Sequence, residues 1–164
     1  DSIAALSCVI NADLDAGTAL LADFHTQWQH DPLVVDKWLT LQALCTLPGT
    51  LERVKALTAH PAFILKNPNK VRALIGAFCT GNQIGFHGAG GDGYAFLADY
   101  VIRLDPMNPQ IAARQLTPLT SWQRYDTGRQ ALMRGQLERI MGVAGLSREV
   151  TEVAGKSLQT ANKG

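Results

Sequence analysis

The side chains in this 164-residue chain best suited to chemistry are four histidines and three cysteines. A helix that holds zinc through two histidines places them at i and i+4, on one face. His25 and His30 are five apart, and His60 and His87 stand alone. No HExxH, GxSxG or CxxC occurs. Cys8, Cys45 and Cys79 are odd in number and sit in apolar, helix-like stretches, which points to buried free thiols rather than a disulfide framework or a structural zinc site. None has an evident histidine partner to make it a nucleophile. The stretch GAGGDG at 88–93 fits G-x-G-x-x-G. Those glycines cradle a pyrophosphate only where a strand precedes them and an acidic residue follows a second strand. Neither condition holds, so a flexible interhelical loop is expected, with His87 in it as a surface or ligand-touching residue. The chain is therefore expected to carry no catalytic centre and no metal site.

What remains are polar residues just behind helix starts. Three openings share an Asx-Pro pair: DPLVVDKW at 31, NPNKVRAL at 67 and NPQIAARQ at 108. An Asp or Asn accepts from the orphan backbone N–H groups of the first turn, and proline fits the first helical position because it has no N–H to leave unpaired. Arg72 lies one turn behind the second start. Gln110 and Arg114 lie behind the third and, being four apart, share a helix face. Such arginines either grip a carboxylate or carbonyls, or bridge acidic neighbours and point to water.

The elements around these residues read as helices throughout. No useful length alternates with period two. Helices are expected over 2–11 and 16–29, the latter with Leu20, Leu21, Phe24 and Trp28 on one side. After the Asp31 cap, Val34, Trp38, Leu41 and Cys45 form an apolar stripe. Pro48-Gly49 breaks the chain, and a helix follows from Leu51 to about Ala59. His60-Pro61 begins a connector to the helix at Asn67, whose inward face is Val71, Leu74, Ile75 and Phe78. Asp92 is expected to cap YAFLADYVIRL. Pro118 ends or kinks the helix opened at Asn108. A long helix spans 126–142 with Met133, Leu137, Ile140 and Met141 inward. The last begins at Ser147 with Val150 and Val153 inward. Helix pairs restarting on the same cap suggest a HEAT- or armadillo-like repeat, with an irregular bundle as the alternative.

Apolar residues make up 46% and charged residues 18%, a globular composition. No apolar run reaches the roughly 20 residues that span a bilayer. The chain opens on Asp1, as a processed or excised chain does, and shows no signal-peptide pattern. Net charge is +1, with seven acids and three bases in residues 1–60 against twelve bases and seven acids afterwards. The basic half suits anionic ligands but is too dilute for nucleic acid. Arg124, Arg129, Arg134 and Arg139 recur every five residues and scatter around their helix instead of forming a stripe.

In order, HDPLVVDKWLTLQA, NPNKVRALIGAF, the FH…GDGY loop, LDPMNPQIAARQLTPL and RYDTGRQALMRGQLERI resemble the C-terminal helical domain of bacterial aminopeptidase N, a zinc-dependent gluzincin peptidase. The likeness covers about residues 3–160. It implies an all-α fold, a right-handed superhelix of antiparallel helix pairs, with residues 1–164 as one helical-repeat domain at the C-terminal end of a larger multidomain enzyme. It implies that zinc and the catalytic residues lie in other domains of the same polypeptide. This domain would enclose the active-site chamber, and Arg72, Gln110 and Arg114 would meet the peptide beyond its first residue. The expected setting is cytoplasmic, with a peptide substrate and without membrane or nucleic-acid partners. The loop 85–93 is richer in glycine than the family pattern. The rival function is a freestanding helical-repeat module that binds protein or peptide.

Overall fold

The computed structural model describes residues 5–7, 9–10 and 14–160. Cys8 lies outside them, as does part of the expected helix 2–11, whose described residues are helical. The elements are α1 (Leu14–Trp28), α2 (Pro32–Ala43), α3 (Thr50–Leu57), α4 (Pro68–Val71), a π-helix (Arg72–Gly81), α5 (Gln83–Phe86), α6 (Asp92–Leu104), α7 (Pro109–Gln115), α8 (Thr117–Thr120), a 3₁₀ turn (Trp122–Arg124), α9 (Thr127–Met141) and α10 (Arg148–Gln159). No strand occurs among the described residues. The chain divides into two compact units, one ending at Gly85 and one beginning at Phe86.

All three Asx-Pro starts fold as their chemistry requires. Asp31 accepts from the N–H groups of Leu33 and Val34, Asn67 from that of Asn69, and Asn108 from that of Ile111. Each has a proline inside the first turn. Such caps contribute about 1 kcal/mol apiece.

In the first unit α2 packs on α1, α3 and the π-helix. Trp38, Leu41 and Cys45 of the expected stripe are buried, with Val34 at its edge. Trp38 also donates its indole N–H to the Leu21 carbonyl at 2.9 Å. The face Val71, Leu74, Ile75, Phe78 is wholly buried, as expected. The helix that carries it is not a plain α-helix: after one α-turn, ten residues run in π geometry. The π register widens the turn, one side chain outside the segment bonds to a backbone carbonyl near its start, and the residue that follows the segment bonds to neighbouring backbone. Thr40 donates to the Ala73 carbonyl at 2.7 Å. Asn82, itself buried, donates to the carbonyls of Ala43 and Cys45 and accepts from the Gly85 N–H. On α1 the expected one-sided face is only partly realised. Leu21 is buried, while Leu20 and Trp28 are 46% and 45% exposed. Successive helical positions lie about 100° apart, so a stripe containing both Leu20 and Leu21 is too wide for one neighbour to cover.

In the second unit α6 packs on α7 and α9, and α10 on α7, α8 and α9. Tyr94, Leu97, Val101 and Leu104 form the fully buried seam of α6, each side chain contributing roughly 1.5–3 kcal/mol. Asp92 does not cap this helix. The cap is Gly91, at φ +77°, and Asp92 falls in the first turn, where its carboxylate faces the positive end of the helix. A left-handed residue before the helix leaves no extended position for an Asp cap. Gly93 has a different requirement, since a Cβ there would lie 2.3 Å from the Phe86 carbonyl oxygen. Met133, Leu137 and Ile140 of α9 are buried, but Met141 is not, being one residue past the stripe at the last turn. Pro118 lies in the first turn of α8, just beyond the end of α7, and Ser147 caps α10 through the Val150 N–H. Val150 is buried and Val153 half-buried.

Candidate functional site

Arg72 is the first residue of the π-helix and is exposed. Its guanidinium donates to the side-chain oxygen of Asn69 in the preceding turn. Gln110 and Arg114 are exposed on α7, four residues apart, while Ile111, Ala112 and Gln115 hold that helix in the core. Among the described residues neither Gln110 nor Arg114 has a hydrogen-bond or ion-pair partner. Arg72 stands in the first unit and the other two in the second.

The neighbouring arginines behave differently. Arg129, Arg134, Arg139 and Arg148 each pair with a carboxylate: Asp126, Glu138, Asp99 and Glu152. Arg103 packs over the Tyr100 ring. Bridging to acids is thus common in this chain, and Arg72 and Arg114 do not take part in it. An exposed guanidinium with no carboxylate keeps its forked donors for an incoming carbonyl or carboxylate.

The FH…GDGY and RYDTGR segments, which carried no assigned role, meet in the second unit. His87 Nδ1 lies 2.7 Å from the Tyr94 hydroxyl. The imidazole stacks on Tyr125, with centroids 4.3 Å apart. Arg129 donates through Nε to the His87 carbonyl at 2.9 Å while pairing with Asp126. Burial, helped by the Arg129 charge, pushes the His87 pKa below its ordinary 6.5. Burial likewise pushes the Tyr94 phenol up. Both directions favour a neutral imidazole accepting from a protonated phenol. The hydrogen bonds from Arg129 hold the Asp126 carboxyl below its usual range. The network pins the glycine-rich loop at His87. Sequence reasoning had the motifs but not their meeting, because the partners lie 7 to 42 residues apart.

Among the described residues no three His, Cys, Asp or Glu side chains converge. No described helix is long and apolar enough to cross a membrane.

Residues 1–159 match the profile of a domain of unknown function, DUF3458_C, described as ARM repeats. The chain is 46% identical over 159 residues to aminopeptidase N of Haemophilus influenzae, covering 97% of this chain and 18% of that protein. It is 48% identical over 138 residues to aminopeptidase N of Caulobacter vibrioides, covering 84% and 16%. Against aminopeptidase N of Escherichia coli it is 40% identical, covering 96% and 18%. It superposes with a TM-score of 0.92 and 39% identity on a crystal structure of Legionella pneumophila aminopeptidase A in complex with aspartic acid, covering 96% of this chain and 18% of that one. The chain thus spans less than a fifth of the length of these relatives. The all-helical build of the described residues agrees with the ARM-repeat description. The chain belongs to the ARM-repeat family DUF3458_C and resembles the corresponding part of aminopeptidase N.

Proposed function

We propose that this chain is the C-terminal helical domain of a zinc-dependent, cytoplasmic aminopeptidase that removes N-terminal residues from peptides. The domain walls the active-site chamber, and Arg72, Gln110 and Arg114 meet the peptide beyond its first residue. The observation that carries this reading is the exposure of Arg72 and Arg114 without a carboxylate, in a chain 40% to 48% identical to aminopeptidases N. Two buried free thiols, Cys45 and Cys79, accord with a reducing compartment.

Zinc and the groups that activate water belong, on this reading, to the part of the polypeptide outside this chain. What these side chains do is bind and orient. Each arginine donates to a backbone carbonyl or the C-terminal carboxylate of the peptide, and Gln110 offers one donor group and one acceptor to an amide. A contact made equally in ground and transition states lowers KM, and one that tightens in the transition state raises kcat.

The test compares the full polypeptide with the isolated chain on aminoacyl chromogenic reporters and on peptides. Hydrolysis from the N-terminus by the full polypeptide, lost on chelation and absent from the isolated chain, is the expected result. Turnover by the isolated chain that survives chelation, or a full polypeptide that binds peptides without cleaving them, would overturn the proposal.

A further inference from the structure

The first unit holds a cleft of about 330 Å³ whose lining does not include Arg72. Its apolar surface comes from Pro32, Val35, Pro61, Ala62 and Ile64. Its polar surface comes from His25, Gln29, Asn67 and Lys70. The hydrogen-bonding capacity left over at these four side chains defines what fits.

Lys70 is buried, and its ammonium has three N–H donors. One goes to Asp36 Oδ1 at 2.5 Å and one to the Pro32 carbonyl at 3.2 Å, which leaves the third. Asn67 spends its side-chain oxygen on the Asn69 N–H, which leaves its NH₂ group. Gln29 donates to the Thr26 carbonyl, which leaves its oxygen as an acceptor. His25 makes ring contacts with Trp38 and His60, at 4.7 and 4.8 Å, and takes no hydrogen bond among the described residues. His60 accepts the Ala62 N–H at Nδ1. The two imidazoles lack a third metal ligand among the described residues. The cleft thus offers donors for a carbonyl oxygen and an acceptor for an N–H, beside an aliphatic wall.

Charge narrows the choice further. The Lys70 ammonium is matched by Asp36. Burial, and then the neighbouring His60, lower the His25 pKa, which favours the uncharged imidazole. With no net charge to offer, the cleft has no preference for a carboxylate. Its volume stands at the lower end of small-molecule pockets.

We propose that this cleft binds a neutral amide carrying one small aliphatic side chain, its carbonyl toward Lys70 and Asn67 and its side chain against Pro32, Val35 and Ile64. Arg72, Gln110 and Arg114 are not among its lining residues, and the proposal does not rest on the peptidase reading.

N-acetylvalinamide is the probe, and N-acetylvaline the anionic control. The full polypeptide carrying this chain is labelled at isoleucine δ1-methyl groups, with the Ile64 signal identified by Ile64→Val. The amide is expected to shift the Ile64 methyl saturably, with a Kd on the order of millimolar, as its few heavy atoms allow. N-acetylvaline is expected to bind more weakly. Ala62→Leu, which fills the cleft, is expected to abolish the shift while the other methyl signals keep their places. Absence of a saturable Ile64 shift at tens of millimolar, tighter binding of the carboxylate, or a shift that survives Ala62→Leu would each overturn the proposal.

Discussion

At the scale of single residues, this chain separates side chains that hold structure from those left available. Asn82 is of the first kind: it is buried and bonded to three backbone groups. Asn82→Ala removes the side-chain donor of two buried carbonyls, at a cost of about 2–4 kcal/mol. A thermal melt should show a fall of roughly 5–12 °C, and an unchanged Tm would contradict the assignment. His87 leads to a prediction about pH. Its pKa is lowered by burial and then by Arg129. The unfolded chain therefore binds the proton more readily, and stability is full above about pH 6.5 and declines as pH falls through the lowered folded value. His25 acts in the same direction. His87→Gln should flatten the decline in Tm between about pH 7 and 5, and an unaltered slope would show that His87 does not titrate with unfolding. Of these residues, Arg72, Gln110 and Arg114 stood out in the sequence because each follows a local cap. Asn82 and His87 took their roles only from distant partners: Ala43 in one case, Tyr125 and Arg129 in the other.

At the scale of elements, the caps are the most legible feature. A cap depends on two or three adjacent residues, and all three Asx-Pro starts fold as read. Asp31→Ala and Asn108→Ala should each cost about 1 kcal/mol, read as a Tm lower by roughly 2–4 °C; a change in neither would mean that tertiary packing alone sets these starts. The π register of Arg72–Gly81 was not legible. Val71, Leu74, Ile75 and Phe78 make one stripe in α or π geometry, and the bond that meets it at Ala73 comes from Thr40, 33 residues away. The exposure of Leu20, Trp28 and Met141 was hidden for another reason. An apolar pattern tells which face seeks cover and not whether a neighbour covers it. Gly93→Ala at the start of α6 would press a methyl group on the Phe86 carbonyl. Overpacking of that kind costs typically 1–3 kcal/mol, and a Tm equal to the parent's would show that the loop yields freely.

At the scale of the whole molecule, two helical units make up a chain that spans 18% of a relative such as the Haemophilus influenzae protein. Leu33 and Ile84 are more than two-thirds exposed. Faces that other domains cover in a longer polypeptide drive association when bare. The isolated chain should therefore self-associate in sedimentation experiments, and a monomer at high concentration would count against its being part of a larger assembly of domains. The central claim is that Arg72 and Arg114 serve the far end of a peptide. Its most direct measurement is kcat/KM of the full polypeptide and of its Arg72→Ala and Arg114→Ala variants, on tripeptides and on single aminoacyl reporters. Loss of a charged hydrogen bond worth about 1.5–3 kcal/mol predicts a tenfold to hundredfold fall, roughly, on tripeptides. Reporters lack the distal groups and should be cleaved nearly as before, with Tm unchanged. Equal losses on long and short substrates, or early unfolding, would show that these arginines support the structure and would contradict the account.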